Sequence, residues 1–267
     1  MIKLLMKKLI QKLVNLFGYK VMKIESTDAT DLDSLTKSLI TKSEPVIFDV
    51  GANKGQSITR YKRLFQNPTI HSFEPNNDEV NILRLKYIDD KNLHLNNVAV
   101  GDKKGNLEFN INARSGHSSF KNLIPNTTWI KKRSKSINID DKNYTTKKIN
   151  AEIITLDDYV NEKNLINIDI LKIDTQGFED KVLQGAQNLL KNNRIKLIQL
   201  ELIFSEIYDN PLNIYDVEKT LIPNEYKLFG ISNSGSLISH YIYQSNFIYI
   251  SSDTYENFKL ISPYFNN

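Results

Sequence analysis

Apolar positions along the chain fall into two spacings. Continuous or alternating apolar runs occupy residues 45–50, 70–74, 93–100, 106–110, 149–154, 168–174, 195–202, 226–231 and 246–251. Most are bounded by Gly, Asp, Asn or Pro, which reads as strands closed by turns. Between them, residues 54–65, 78–87, 179–190 and 213–221 carry apolar side chains at helical spacing. Asn67-Pro68 stops the first of these helices, and Pro75 breaks the chain after the second strand. Thr155 reads as the N-cap of a further helix, with Asp158 at N3. Strands alternating with helices predict an α/β fold: a mostly parallel sheet with helices on both faces. No 20–50-residue repeat interrupts the pattern.

Three stretches stand outside it. Residues 1–23 hold six lysines and no acid, with Ile2, Leu5, Met6, Leu9, Leu13, Leu16 and Phe17 at helical spacing. This predicts an amphipathic helix that packs on the domain or on a second copy in a homodimer, or lies on an anionic membrane surface. Its charges are too frequent for a membrane span, and no signal-peptide pattern is evident. Residues 26–44 read as a linker and a short helix capped by Asp33 or Ser34. Residues 112–150 form a basic insert, with eight Lys and Arg but only Asp140 and Asp141 between Lys121 and Lys148. Too long for a plain connector, it is expected to be a mobile loop or lid, either merely solvated or recruiting an anionic acceptor. The domain division expected is 1–44 as N-terminal helix and linker, then 45–267 as one domain with this insert.

Composition adds exclusions. The balance of 35 basic against 31 acidic residues leaves +4, too little to argue for nucleic acid. With no cysteine, disulfides, thiolate metal sites and cysteine nucleophiles are ruled out. The expected location is cytoplasmic, with peripheral contact at the inner membrane face through residues 1–23.

The chemistry concentrates at strand ends. After the first strand the turn reads Asp49-x-Gly51-x-Asn53-x-Gly55, and the second strand ends in Glu74, one βαβ unit later. Glycines let backbone approach a ligand, and the following helix presents free N–H groups. An acid such as Glu74 is placed to accept from a ribose diol, which also fits NAD. The turn lacks Gly-x-Gly-x-x-Gly and the lysine-serine ending of a P-loop. Its own acid would repel a pyrophosphate and suits a ligand with an ammonium and a sulfonium, such as S-adenosylmethionine.

The ordered set of segments goes further. Phe48–Gly55, Phe73-Glu74-Pro75, Asn97–Asp102, Ile154–Tyr159, Asp169–Glu179, Val182–Ala186, Leu200-Glu201-Leu202 and Glu206-Ile207-Tyr208 resemble the FkbM family of S-adenosylmethionine-dependent methyltransferases, class I in fold. The resemblance implies a seven-stranded Rossmann-like sheet with a reversed last strand. It implies methyl transfer to a hydroxyl, often of a sugar in a polysaccharide or glycolipid. By motif, Asp49, Gly51, Asn53 and Gly55 line the methionine end, Glu74 and its neighbour Pro75 meet the ribose, and Asn97, Val98 and Ala99 border the adenine. Asp174 sits where methyl group and acceptor meet. Gln176 departs from the glutamate common there, as do Glu225-Tyr226 from Gly-Phe and Asn246 from aspartate.

A sugar hydroxyl gains from a general base. Asp174, Glu201 and His117 are the candidates; otherwise Asp174 holds its own Gly177 turn, Glu201 is a buried hydrogen-bonding partner and His117 is incidental. Glu179 complements a helix dipole. No metal is expected, because no third ligand joins Asp174 and Glu201. The leading expectation is an O-methyltransferase acting on a glycan or glycolipid. A cofactor-binding module without catalysis and a nucleic-acid methyltransferase are the alternatives. Against the latter, the Asn/Asp-Pro-Pro-Tyr/Phe signature is missing. A dehydrogenase fits least.

Overall fold

The structure, a computed structural model, describes residues 31–232 and 242–261. The helix expected over residues 1–23 lies outside them. The main sheet contains β1 (Val46–Val50), β2 (Thr69–Phe73), β3 (Leu93–Asn96), β7 (Ile168–Ile173), β8 (Ile195–Ile203), β9 (Lys227–Ile231) and β10 (Gln244–Ile250). Their spatial order is β3-β2-β1-β7-β8-β10-β9. β1, β2, β3, β7 and β8 pair in parallel, while β10 runs antiparallel to both β8 and β9. This is the class I methyltransferase sheet with its one reversed strand, as the resemblance implied.

The sequence explains the burial. All six residues of β7 are buried, as are four of the five of β1, because helices cover both faces. Phe48, Val50, Leu171 and Ile173 point into one core with Val182, Leu183, Leu189 and Val217. Ile47, Ile170 and Leu197 point into the other with Ile58, Tyr61 and Leu83. The covering helices include α1 (Leu32–Leu39), α2 (Gln56–Leu64), α3 (Asn77–Lys86), α5 (Leu156–Glu162), α6 (Glu179–Gln184), α7 (Gln187–Lys191), α8 (Ile214–Leu221) and α9 (Ser252–Ile261). The expected cap at Thr155 is present, its hydroxyl accepting from the Asp158 N–H at 3.1 Å.

Three local expectations change. The cap of α1 is Asp31, not Asp33 or Ser34: its carboxylate accepts from the Asp33 N–H and the Ser34 hydroxyl. The strand expected over 93–100 divides, because Asn97 turns back to donate to the carbonyls of Glu74 (3.0 Å) and Pro75 (3.2 Å). β3 stays in the main sheet, and β4 (Ala99–Val100) joins a second sheet of order β4-β6-β5. The helix expected over 179–190 breaks at Gly185, where a Cβ would lie 2.0 Å from the Gly101 carbonyl oxygen.

The insert also has regular structure in place of the expected loop. β5 (Gly105–Asn112) pairs antiparallel with the long β6 (Thr145–Ile154). Between them lie α4 (Thr128–Lys135), capped by Thr127, and single 3₁₀ turns at Ser115–His117 and Asp141–Asn143.

Candidate active site

β1 and β7 are neighbours in space although the chain leaves β1 toward β2, so the crevice between their C-terminal ends is the topological switch point of the sheet. The structure places a slot there, open to solvent, with a cavity volume of about 60 Å³. Strand ends and turns form its floor; Ser115, Gly116, Ser118 and Phe120 of the insert form its outer wall.

Two turns meet under the slot. Gly51 (φ +84°) and the neighbouring Ala52 donate their N–H groups to the Phe73 carbonyl at 3.0 and 3.1 Å. A Cβ on Gly51 would lie 2.0 Å from the Asp174 carbonyl oxygen. Only glycine permits both the positive φ and this crossing. Asn53 (φ +43°) donates its N–H to Glu74 Oε2 at 2.8 Å, and its side chain accepts from Ser115 Oγ at 2.9 Å. The second turn, Thr175-Gln176-Gly177, is held by Glu179. That carboxylate accepts from the N–H and hydroxyl of Thr175 (2.9 and 3.0 Å) and from the Gly177 N–H (3.0 Å). Glu179 therefore does the turn-holding considered for Asp174, and its role is more specific than complementing a dipole.

Behind the floor, Asp49 on β1 faces Lys172 on β7 in direct register. Asp49 is fully buried, and the Lys172 Nζ lies 3.2 Å from its Oδ1, 3.6 Å from Asp174 Oδ2 and 3.0 Å from the Gly51 carbonyl to which it donates. Burial disfavours the ammonium, but the carboxylates of Asp49 and Asp174 outweigh it and hold the lysine pKa above its ordinary value. A lysine inside the apolar run of β7 was the available signal: such a charge requires a buried partner.

The slot is acidic. Glu74 and Asp174 line it, while no Lys, Arg or His is among the described residues of its wall. Burial pushes the Glu74 carboxyl up to about 7, against the opposing pull of the Asn76 and Asn53 N–H groups. Residues 49–228 match the family model described as the methyltransferase FkbM domain.

This chain belongs to that family.

Among relatives of this FkbM-domain chain is the 2-O-methyltransferase NoeI of Sinorhizobium fredii (strain NBRC 101917 / NGR234), 28% identical over 185 residues, covering 66% of this chain and 70% of NoeI. Solved structures with similarity include Aeropyrum pernix fibrillarin in complex with natively bound S-adenosyl-L-methionine, 12% identical with TM-score 0.41, over 83% of this chain and 76% of fibrillarin. Precorrin-6y C5,15-methyltransferase of Geobacter metallireducens is 11% identical with TM-score 0.41, over 86% of this chain and 93% of that one.

Of the residues singled out in this FkbM domain, Gly51, Asn53, Glu74, Pro75, Ala99 and Asp174 line the slot. Asp49, Gly55, Asn97 and Val98 do not. Gly55 (φ +77°) starts α2, and Asn97 fixes the loop after Glu74. Glu201 and His117 stand beyond the Asp174 end, tied in through two residues not singled out for a role. Gln176 (φ +58°) donates to Asp174 Oδ1 at 2.9 Å and to Glu201 Oε2 at 3.4 Å. The Tyr208 hydroxyl shares its proton between Gln176 Oε1 (3.0 Å) and the His117 carbonyl (2.8 Å). No local spacing pointed to Tyr208, which arrives from beyond β8.

These groups differ in protonation. Burial, reinforced by the Asp174 and Glu179 carboxylates, pushes Glu201 up to about 8. Burial also depresses His117 to about 4; its Nδ1 lies 2.7 Å from the Tyr144 hydroxyl and its ring stacks edge-on against Trp129. At neutral pH Glu201 is largely protonated and His117 neutral. No cluster of three metal-ligating side chains occurs among the described residues. No helix among them is long and apolar enough to cross a membrane.

Proposed function

We propose that this chain is an S-adenosylmethionine-dependent O-methyltransferase whose acceptor is a hydroxyl of a glycan or glycolipid. The observation that carries the reading is the slot's lining: two carboxyl groups, and no cationic side chain among its described residues. A dinucleotide or nucleoside triphosphate would bring phosphates against those acids without a counter-charge, whereas a ligand bearing a sulfonium and an ammonium is attracted. The donor set fits it. Glu74, at the end of the second strand, is positioned to accept from ribose hydroxyls; Gly51 and Asn53 line the part of the slot assigned to the amino-acid end. Bound there, the cofactor supplies an electrophilic methyl group on a good leaving group.

The chain's contribution is alignment and one proton. Of the three candidate bases, Asp174 is the one that lines the slot. Gln176 holds one of its oxygens and Lys172 lies near the other. Glu201, largely protonated, orients Gln176, and the neutral His117 ring is committed to Tyr144. Asp174 is therefore the group placed to take the proton from the acceptor hydroxyl; the bound cofactor would supply the methyl group to that oxygen, with its sulfur as the leaving group that keeps the electron pair. The relative NoeI, a 2-O-methyltransferase, supports oxygen as the acceptor atom.

Calorimetry with S-adenosylmethionine, followed by transfer of a labelled methyl group to envelope glycans, tests the reading. Asp174→Asn should slow transfer by about 10²–10⁴-fold, a larger loss than the accompanying fall in cofactor affinity. Full transfer by that variant would remove Asp174 from the role, and no binding by the native chain would overturn the whole reading.

A further inference from the structure

The basic insert holds a second cavity, separate from the slot. Its volume is about 240 Å³, against about 60 Å³ for the slot. β5 is the partition: Phe109 lines the slot and the next residue, Asn110, lines this cavity. Successive residues of a strand face opposite ways, so the two cavities open on its two sides.

We propose that this cavity is a subsite for an anionic saccharide, holding a distal unit of the acceptor while another unit enters the slot. Its polar lining residues include Asn110, Asn122, Asn126, Thr145, Lys142 and Lys148; of these the Asn122 amide already donates to Asp209 and accepts from Asn110, and the Thr145 hydroxyl donates to Asn112. Asn110 is only 4% exposed; its amide nitrogen donates to the Lys121 carbonyl at 2.9 Å, but its carbonyl Oδ1 has no partner. A buried amide oxygen left open costs free energy unless something donates to it. Asn126, at φ +62° just before α4, holds its position by a conformation asparagine tolerates better than most residues.

Amides both donate and accept, which matches the vicinal hydroxyls of a sugar. Leu123 and Ile130 supply an apolar wall for the C–H face of the ring. The charges select further. Lys148 is paired with Glu108 at 2.6 Å, but Lys142 makes no ion pair among the described residues. One carboxylate, Asp141, shares the lining with these two ammonium groups. A carboxylate or phosphate on the sugar would meet Lys142 directly. Either acid carries the same chemistry, and the choice between them is experimental. Binding here is independent of the cofactor; only the role as acceptor subsite rests on the function proposed above.

Saturation-transfer difference NMR on the full chain, with glucuronate, glucose 6-phosphate and glucose as separate probes, tests this. Glucuronate or glucose 6-phosphate should give transfer that glucose lacks at the same concentration, and the stronger of the two names the acid. The double variant Lys142→Glu/Lys148→Glu should weaken it by about tenfold or more, with native melting temperature and cofactor affinity. The proposal is overturned if neither acidic sugar gives transfer, if transfer survives the double variant, or if an equal concentration of inorganic phosphate removes it. Cofactor calorimetry keeps the two readings apart. Saccharide binding without cofactor binding overturns only the methyltransferase reading; the reverse result overturns only the subsite.

Discussion

The floor and the outer wall of the slot are built by different means. The floor is backbone: Gly51, Asn53, Gln176 and Gly177 all take positive φ, and the turns are fastened by buried acids bonding to N–H groups. The wall is side chain. Ser115, Ser118 and Phe120 face the slot, while His117 leans on Trp129 and Tyr144, which come from elsewhere in the insert. A backbone floor tolerates almost no substitution but is indifferent to what is being methylated. A side-chain wall can be rebuilt residue by residue without disturbing the turns beneath it.

That contrast can be broken most directly at Gly51. Gly51→Ala should remove about 3–5 kcal/mol of stability, lowering Tm by about 10 °C, and abolish cofactor binding; a folded variant that binds normally would show that the backbone crossing is not essential. Lys172→Met leaves Asp49 buried and unpaired and should cost about 3 kcal/mol, read from denaturant midpoints. If it costs less than about 1 kcal/mol, the Asp49–Lys172 pair is not what secures the floor.

The third test is pH. Glu74 and Glu179 are raised to about 7 and Glu201 to about 8, so over that range the folded chain binds more protons than the unfolded one. Stability contributed by these groups is present below their unfolded values, near 4.5, and is lost as pH rises through the folded values. His71 and His117, depressed to about 4, act oppositely, but their contribution is complete once pH exceeds about 6.5. Denaturation midpoints should therefore fall between about pH 6.5 and 8, and Glu74→Gln should flatten part of the fall. An unchanged slope in that variant would refute the assignment to Glu74. Smallest is Tyr208→Phe, expected to cost about 1 kcal/mol and to reduce transfer without changing cofactor affinity. Loss of cofactor binding there would mean that wall and floor are not separable.

The same contrast explains what could be read from the chain. The floor lies in contiguous segments, Asp49–Gly55 and Lys172–Glu179, whose glycines and acids announce a turn under a ligand. The alternation of strands and helices likewise specified the sheet, including the cap at Thr155. Asn97 was less legible: an asparagine inside a long apolar run does not reveal that it bonds back across the loop and divides the strand. The wall was harder still. His117, Trp129, Tyr144 and Tyr208 are brought together by β5–β6 pairing and by the chain beyond β8, and no spacing in the sequence records that meeting. Nor did the insert's charge disclose its structure, since α4 has few apolar positions and owes its place to Ile130 and the Thr127 cap.

The contact between Gly51 and the Asp174 carbonyl has a mechanical consequence. With no side-chain atom between them, the first turn rests directly on the Asp174 backbone. A ligand that shifts the first turn by a fraction of an ångström is therefore expected to press on Asp174 as well. The expected consequence is that a ligand at one end of the slot changes the affinity at the other, which binding measured with and without the second ligand would check.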